Sequence, residues 1–276
     1  MSEDRHKGFR DAAQDSETAR EVPQTAQTMA PAYRLAFMDD AFICRDELRP
    51  VRLQLELLKT ELLMAEAGVE STVVLFGGAR IREGANGTGM SALGHFYDEA
   101  RAFAHAVTER SLGTGGRHWV VCTGGGPGVM EAGNRGAVDA GGRSIGLSIV
   151  LPHEQAPNPY VTPELCFNFH YFGIRKMHFL MRARTIAVFP GGFGTLDETF
   201  EALTLIQTGR MEKIPFLLFG EAFWRRVIDF DALVEAGTIS RADLDLFRFV
   251  ESADEALTAI DAWEGAGEKR SEIPGR

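Results

Sequence analysis

Residues 185–198 read Thr-Ile-Ala-Val-Phe-Pro-Gly-Gly-Phe-Gly-Thr-Leu-Asp-Glu, which is an apolar run, a glycine turn and the start of a helix. The run at 185–189 predicts a buried strand, and a helix is expected from residue 194. Exposed N–H groups at a helix N-terminus bind phosphate. Gly191, Gly192 and Gly194 allow the backbone to approach such a ligand closely. The segment therefore predicts an anion pocket at the carboxyl end of a strand.

Two further glycine turns follow apolar strands. Residues 123–128 read Thr-Gly-Gly-Gly-Pro-Gly, and residues 77–80 read Gly-Gly-Ala-Arg. The alternation of strands and helices predicts an α/β fold with a doubly wound parallel sheet and helices on both faces. Ligands of such sheets lie beyond the carboxyl ends of the strands, where all three turns fall. Strands are expected at 72–76, 118–122, 144–149, 165–169, 185–189 and 214–219, and helices near 89–110, 127–140, 173–183, 194–208, 222–236 and 252–263.

Sequence patterns divide the chain into three parts. Residues 1–45 form an N-terminal extension whose polar first 30 residues predict disorder, followed by a short docking helix at 31–44. Residues 46–263 form one doubly wound α/β domain, expected to bind a small phosphorylated ligand, with a leading amphipathic helix at 46–67. That helix packs either on the main domain or on a second subunit. Residues 264–276 are expected to be a frayed tail.

Composition limits the partners. The chain has 276 residues and a net charge of −10, which argues against nucleic acid as a partner. It has three cysteines without metal-type spacing, so Cys122 and Cys166 are expected to be reduced and buried. We see no signal core or membrane-spanning run, and we expect a cytoplasmic protein without a membrane partner. His153 and Glu154 lack a metal-spaced partner, so no metal site is predicted.

The glycine turns do not match two common nucleotide motifs. A dinucleotide fingerprint requires a third glycine where Val129 stands, and an acidic end on the next strand, which is absent. A phosphate-binding loop of the Walker type requires a Gly-Lys pair, which the sequence lacks. Dinucleotide redox chemistry and nucleoside triphosphate hydrolysis are therefore disfavoured. An alternative interpretation is that the glycines only form tight turns.

Two charged residues are candidates for chemistry, and each has a structural alternative. Glu198 either faces a ligand bound at the helix tip or completes a capping box with Thr195. Arg175 either binds phosphate or a sugar or forms a surface salt bridge. Glu201 and Thr204 share a polar helix face with Glu198.

These motifs resemble those of the LOG (Lonely Guy) family of nucleoside 5′-monophosphate phosphoribohydrolases, in its longer bacterial form. The resemblance rests on residues 124–132, on the Arg175-Lys176 pair and on residues 190–198, which read P-G-G-F-G-T-L-D-E. It extends from about residue 71 to residue 224. It implies a Rossmann-like fold, a homodimer or higher homo-oligomer, and hydrolysis of the N-glycosidic bond of a nucleoside 5′-monophosphate without metal or organic cofactor. Such proteins are often mislabelled lysine decarboxylases, an activity that we do not expect.

The resemblance also implies roles for individual residues. Arg175 and Glu198 fall on the catalytic positions. Gly78 departs from the family pattern, since many relatives carry serine there, which would loosen one phosphate or ribose contact. Phosphate binding is expected from Gly125, Gly126, Gly128, Gly191, Gly192, Gly194 and Thr195, and substrate binding from Glu154, Lys176, Asp197 and Thr204.

Two alternatives from other functional classes stay open at this point. The first is a non-catalytic module that binds or senses a nucleotide on the same fold. The second is a structural oligomer assembled through the helix at 46–67. Which base the chain accepts, and whether it activates cytokinins or turns over nucleotides, is not determined by the sequence.

Overall fold

The structure is a computed structural model that describes residues 9–84, 93–152 and 156–263. The chain divides into two compact units, one ending at Leu58 and the other beginning at Lys59. This division falls inside the helix Arg49–Glu66, whereas the sequence placed it after residue 45. Within the described ranges, no helix has the length and apolar character needed to cross a bilayer.

The first unit contains a helix where disorder was predicted. Helix α1 spans Ala12–Arg20 and buries none of its residues. Its start is stabilised locally, because Asp11 and Gln14 each accept a hydrogen bond from the other's backbone N–H, as in a capping box. The docking helix expected at 31–44 is mostly 3₁₀ turns, and only Asp40–Ile43 (α2) is α-helical. Helix α3, Arg49–Glu66, begins in this unit and confirms the predicted amphipathic helix.

The second unit contains a seven-stranded sheet in the order β4-β3-β2-β1-β5-β6-β7, with all neighbouring strands parallel. The chain moves outward in one direction from β1 to β4 and then returns to pair β5 with β1. Ligands bind at such a switch point. The strands are β1 Thr72–Phe76, β2 Val120–Thr123, β3 Ser144–Ile149, β4 Cys166–Phe169, β5 Ala183–Val188, β6 Phe216–Phe219 and β7 Arg248–Val250.

Helices cover both faces of this sheet. Strand β1 is buried along its whole length, with Val74 and Phe76 in one apolar cluster and Val73 and Leu75 in the other. Strands buried on both faces are typical of parallel sheets. The predicted doubly wound α/β fold is confirmed. The helices are α4 His95–Leu112, α5 Val129–Asp139, α6 Phe172–Met181, α7 Phe193–Gln207, α8 Glu221–Val227, α9 Phe230–Glu235 and α10 Ala253–Asp261.

Two elements differ from the prediction. The helix expected at 222–236 is two helices, because Ile228 is extended and Asp229 caps α9 by accepting a hydrogen bond from the Ala232 N–H. Strand β7 was not predicted, since three residues beginning with an arginine are too short to show a strand pattern. Residues 89–92 of the helix predicted near 89–110 lie outside the described residues.

Candidate active site

A cavity of about 790 Å³ lies at the switch point of the sheet. Three segments that follow strands line it, namely residues 77–81 after β1, Gly124 after β2, and residues 190–198 after β5. Apolar side chains from β1, α5 and α6, among them Met130 and Phe179, form much of its wall. The three predicted glycine turns therefore meet at one edge of the sheet, as expected from parallel strand geometry.

Glu198 on α7 is a buried acid that faces this cavity. The residue is 7 % exposed, and its Oε1 lies 3.7 Å from Nη1 of Arg175. Burial raises the pKa of Glu198 to about 7, although the charges of Arg175 and Lys176 act in the opposite direction. A carboxyl group with this pKa exists in both protonation states near neutral pH. Perturbed acids in clefts are typical of functional sites.

The capping-box alternative for Glu198 is wrong. Helix α7 begins at Phe193 with Gly192 at the N-cap, and no side chain bonds to that cap. Thr195 lies inside the first turn, where its hydroxyl packs so closely on Gly191 that a Cβ there would collide with it. The glycine turn therefore starts the helix three residues earlier than a cap at Thr195 would have done. Glu198 is left to face the cavity.

Arg175 on α6 is held on several sides. Its Nε donates a 2.7 Å hydrogen bond to the Leu147 carbonyl, and its Cζ lies 5.0 Å from the centre of the Phe179 ring. A Cβ at Gly124 would lie 2.7 Å from Nη2, so this glycine makes room for the guanidinium. The side chain is 13 % exposed. Arg175 is therefore a buried cation beside Glu198, and the alternative of a surface salt bridge is wrong.

The four predicted substrate-binding residues fall in different places. Asp197 lines the cavity, and Lys176 lies behind it, with Nζ 2.8 Å from Asp197 and 3.0 Å from Glu201. Burial lowers the pKa of Lys176, but its bonds to these two carboxylates outweigh this and raise it. Thr204 is exposed, does not line the cavity, and donates its hydroxyl to the Phe200 carbonyl. Glu154 lies outside the described residues. Their substrate contacts stay predictions.

The predicted phosphate-binding residues divide into two sets. Gly191, Gly192, Gly194 and Thr195 line the cavity, and a Cβ at Gly192 or Gly194 would meet nothing within 4 Å. The turn after β2 lines it only through Gly124. The other three glycines of this turn that were predicted to bind phosphate do not line the cavity, and their phosphate contacts stay predictions: Gly125, Gly126 and Gly128.

A buried polar network, which sequence analysis did not identify, holds the turn after β2. Nδ2 of Asn158 donates to the Gly126 carbonyl at 2.9 Å and to Oδ1 of Asn134 at 2.9 Å. The same Oδ1 accepts a 2.8 Å hydrogen bond from the Thr123 hydroxyl. Asn134 is fully buried. The sequence signal for this network was a polar residue on the buried face of α5. Satisfied buried networks of this kind make a local structure rigid.

The packing of this turn gives a stability prediction. Gly128 has φ +73°, and a Cβ there would collide with the Gly78 carbonyl. Gly141 has nearly the same φ, +74°, but nothing lies within 4 Å of its Cβ. Gly141→Ala should lose about 1–2 kcal/mol through backbone strain. Gly128→Ala should lose more, because its ψ of −131° lies outside the left-handed helical region and because the collision adds about 1–3 kcal/mol. Denaturant unfolding measures both, and equal losses would contradict the packing role.

Comparison with known proteins finds similarity to one family. Residues 130–260 match the family model described as "Possible lysine decarboxylase". The probable cytokinin riboside 5′-monophosphate phosphoribohydrolase LOG4 of Oryza sativa subsp. japonica is 28 % identical over 144 residues, which are 51 % of this chain and 61 % of that protein. The corresponding LOG2 enzyme of Arabidopsis thaliana is 24 % identical over 61 % of this chain and 76 % of its own length. The resemblance to the LOG family is thereby confirmed.

Two solved structures are also similar. The molybdenum cofactor binding protein of Rippkaea orientalis is 19 % identical with a TM-score of 0.46, covering 70 % of this chain and 96 % of its own. The molybdenum cofactor carrier protein of Chlamydomonas reinhardtii is 17 % identical with a TM-score of 0.42, at the same coverages. At this level of similarity, the ligand of neither protein is transferred to this chain.

Proposed function

We propose that this chain, whose sequence resembles the LOG family, hydrolyses the N-glycosidic bond of a nucleoside 5′-monophosphate. The products are a free base and ribose 5-phosphate, and the substrate is AMP or a related compound such as a cytokinin riboside monophosphate. One observation carries the proposal, namely the buried Glu198, with its pKa raised to about 7 by burial, in a cavity at the switch point of the sheet. We further propose that the protein assembles as a homodimer or a higher homo-oligomer, and that it has no membrane or nucleic acid partner.

The chemistry requires a carboxylate beside the sugar. Breaking the bond between C1′ and the base develops oxocarbenium character at C1′, which a carboxylate stabilises or relieves by activating water. In the proposed reaction, Glu198 takes a proton from water as the water oxygen bonds to C1′. The electron pair of the broken bond leaves with the base, which is then protonated. A pKa near 7 suits a group that accepts and returns a proton at neutral pH.

Phosphate binding at a distance from C1′ would orient the substrate. The N-terminus of α7 lines the cavity, and a Cβ at Gly192 or Gly194 would meet nothing within 4 Å outside their chain neighbours. Backbone N–H groups and the helix dipole favour an anion there. Binding energy from the phosphate then holds C1′ near Glu198. A free nucleoside lacks this phosphate and should therefore be cleaved more slowly.

Lysine decarboxylation fits the cavity poorly. Pyridoxal phosphate chemistry needs a lysine amine that faces the cofactor to form a Schiff base. None of the described residues that line the cavity is a lysine. Lys176, the lysine beside the site, points its Nζ at Asp197 and Glu201. The description attached to the matching family model is therefore not the activity that we propose.

A base-release assay tests the proposal. The protein is incubated with AMP, GMP, CMP, a cytokinin riboside monophosphate and adenosine, and free base is measured by chromatography. We expect release from at least one monophosphate and far slower release from adenosine. Equal cleavage of AMP and adenosine would contradict the phosphate anchor. Nucleotide binding without base release would favour the non-catalytic module, and no ligand-dependent thermal shift would favour the structural oligomer.

A further inference from the structure

The turn after β1 is held firmly between its two neighbours. The Gly78 N–H donates a 2.9 Å hydrogen bond to the Pro190 carbonyl in the turn after β5. The Gly78 carbonyl accepts a 3.3 Å bond from the Val129 N–H at the start of α5. Gly128 packs against the same carbonyl so closely that a Cβ would not fit. The backbone at Gly78 is thus fixed with respect to both other glycine turns.

This fixed turn carries a cation into the cavity. Arg80 lies between Gly78 and the buried Ile81, whose N–H bonds back to the Gly78 carbonyl at 3.4 Å. Arg80 is exposed and lines the cavity. Arg82, two residues later in the same loop, is equally exposed but does not line the cavity. The two arginines therefore carry the same side chain, but only Arg80 lines the cavity.

Charge balance distinguishes Arg80 from the other charged residues of the cavity wall. Arg175 lies beside Glu198 and donates to the Leu147 carbonyl. Asp197 is paired with Lys176. Arg80, by contrast, forms no ion pair with any residue in the part of the chain that the structure describes. A dianionic phosphate entering the cavity would find in Arg80 a cation not already matched by a protein carboxylate.

We infer that Arg80 binds the phosphate group of the substrate and is a specificity residue for phosphorylated over unphosphorylated ligands. The identity of the ligand rests on the proposed function. A guanidinium on a fixed backbone suits this role, because its planar fork matches phosphate oxygens in pairs. The adjacent N-terminus of α7 supplies backbone N–H groups on the other side of the ligand. In this arrangement, Arg175 interacts with Glu198 and the reacting sugar, and Arg80 binds the phosphate.

The test compares Arg80→Ala and Arg80→Lys with the matched control Arg82→Ala. Calorimetry measures the Kd of ribose 5-phosphate, and that of AMP in the Glu198→Gln background, where AMP is cleaved slowly. Steady-state kinetics measures KM and kcat for AMP. Arg80→Ala should weaken ribose 5-phosphate binding and raise KM by about 10- to 100-fold, the effect of losing a hydrogen bond to a charged group. Arg80→Lys should restore part of the loss. Arg82→Ala and adenosine binding to Arg80→Ala should match the unaltered protein.

The outcomes separate this inference from the proposed function. If the protein binds ribose 5-phosphate in an Arg80-dependent way but releases no base, the function is wrong and the inference stands. If Arg80→Ala binds ribose 5-phosphate as well as Arg82→Ala does, the inference is overturned, whatever the activity. Failure of the unaltered protein to bind either phosphorylated probe overturns the inference as well. A loss of kcat without change in Kd also overturns it.

Discussion

Glu198→Gln is expected to lower kcat by about 10²- to 10³-fold, the usual effect of removing one well-placed electrostatic group. Glutamine has nearly the same shape but can neither carry a negative charge nor accept the proton from water. The matched control is Glu201→Gln on the same helix face, since Glu201 pairs with Lys176 and does not line the cavity. Base release from AMP measures both. Full activity in Glu198→Gln would remove this residue from the mechanism.

Glu198→Gln should also change how the stability of the protein depends on pH. Burial raises the pKa of Glu198 from 4.5 to about 7, so the folded protein holds a proton that the unfolded chain releases between these pH values. Stability therefore falls as pH rises through this window. Glu198→Gln does not show this loss. Its free energy of unfolding, relative to that of the unaltered protein, should therefore rise by on the order of 3 kcal/mol from pH 4 to pH 8, at about 1.36 kcal/mol for each unit of pKa shift.

These two measurements separate a functional acid from a structural one. A residue that only stabilises the fold would cost a similar amount of stability at every pH when replaced, whereas replacing Glu198 should lower activity and give a stability difference that moves in favour of the variant as pH rises toward 7. In the unaltered protein, kcat/KM should rise with pH through a value near 7, because the carboxylate form of the free enzyme performs the reaction. A stability difference between Glu198→Gln and the unaltered protein that stays constant from pH 4 to pH 8 would contradict the assignment.

Local patterns predicted most of the sheet because its strands are apolar runs between glycine turns. All six predicted strands exist, and β1 and β3 have the predicted ends. Strand β7 carries too few residues for any periodicity, and its place beside β6 depends on tertiary pairing. The break between α8 and α9 depends on the Asp229 cap, which is also compatible with a helix interior. Helix α1 forms where composition alone predicted disorder.

The sequence predicted those residues of the candidate site that lie within local sequence motifs. Glu198 and Arg175 follow recognisable motifs, and the structure brings them together across α6 and α7. Long-range contacts set the rest. The placement of Asn158 against the turn after β2 joins residues 32 positions apart in sequence, which no local pattern reveals. The contacts of Lys176 with two carboxylates of α7 were likewise not predicted, and its contact with substrate stays a prediction.

Arg175→Ala should also lower kcat by about 10²- to 10³-fold. The matched control is Arg182→Ala, because Arg182 is a similarly buried arginine, 12 % exposed, that forms two 2.8 Å bonds with Glu61 and does not line the cavity. Both variants should lose stability, since Arg175→Ala leaves the buried Glu198 without its cation and Arg182→Ala removes two hydrogen bonds to the partly exposed Glu61. Activity per folded molecule should fall only in Arg175→Ala.

The pH profile of Arg175→Ala tests whether this cation acts through Glu198. The charge of Arg175 opposes the burial that raises the pKa of Glu198. Its removal should therefore raise that pKa further and move the rise of kcat/KM to a pH above that of the unaltered protein. Arg182→Ala should leave the rise near pH 7. If the profile of Arg175→Ala kept its position while kcat fell, Arg175 would act on the substrate directly and not through the ionisation of Glu198.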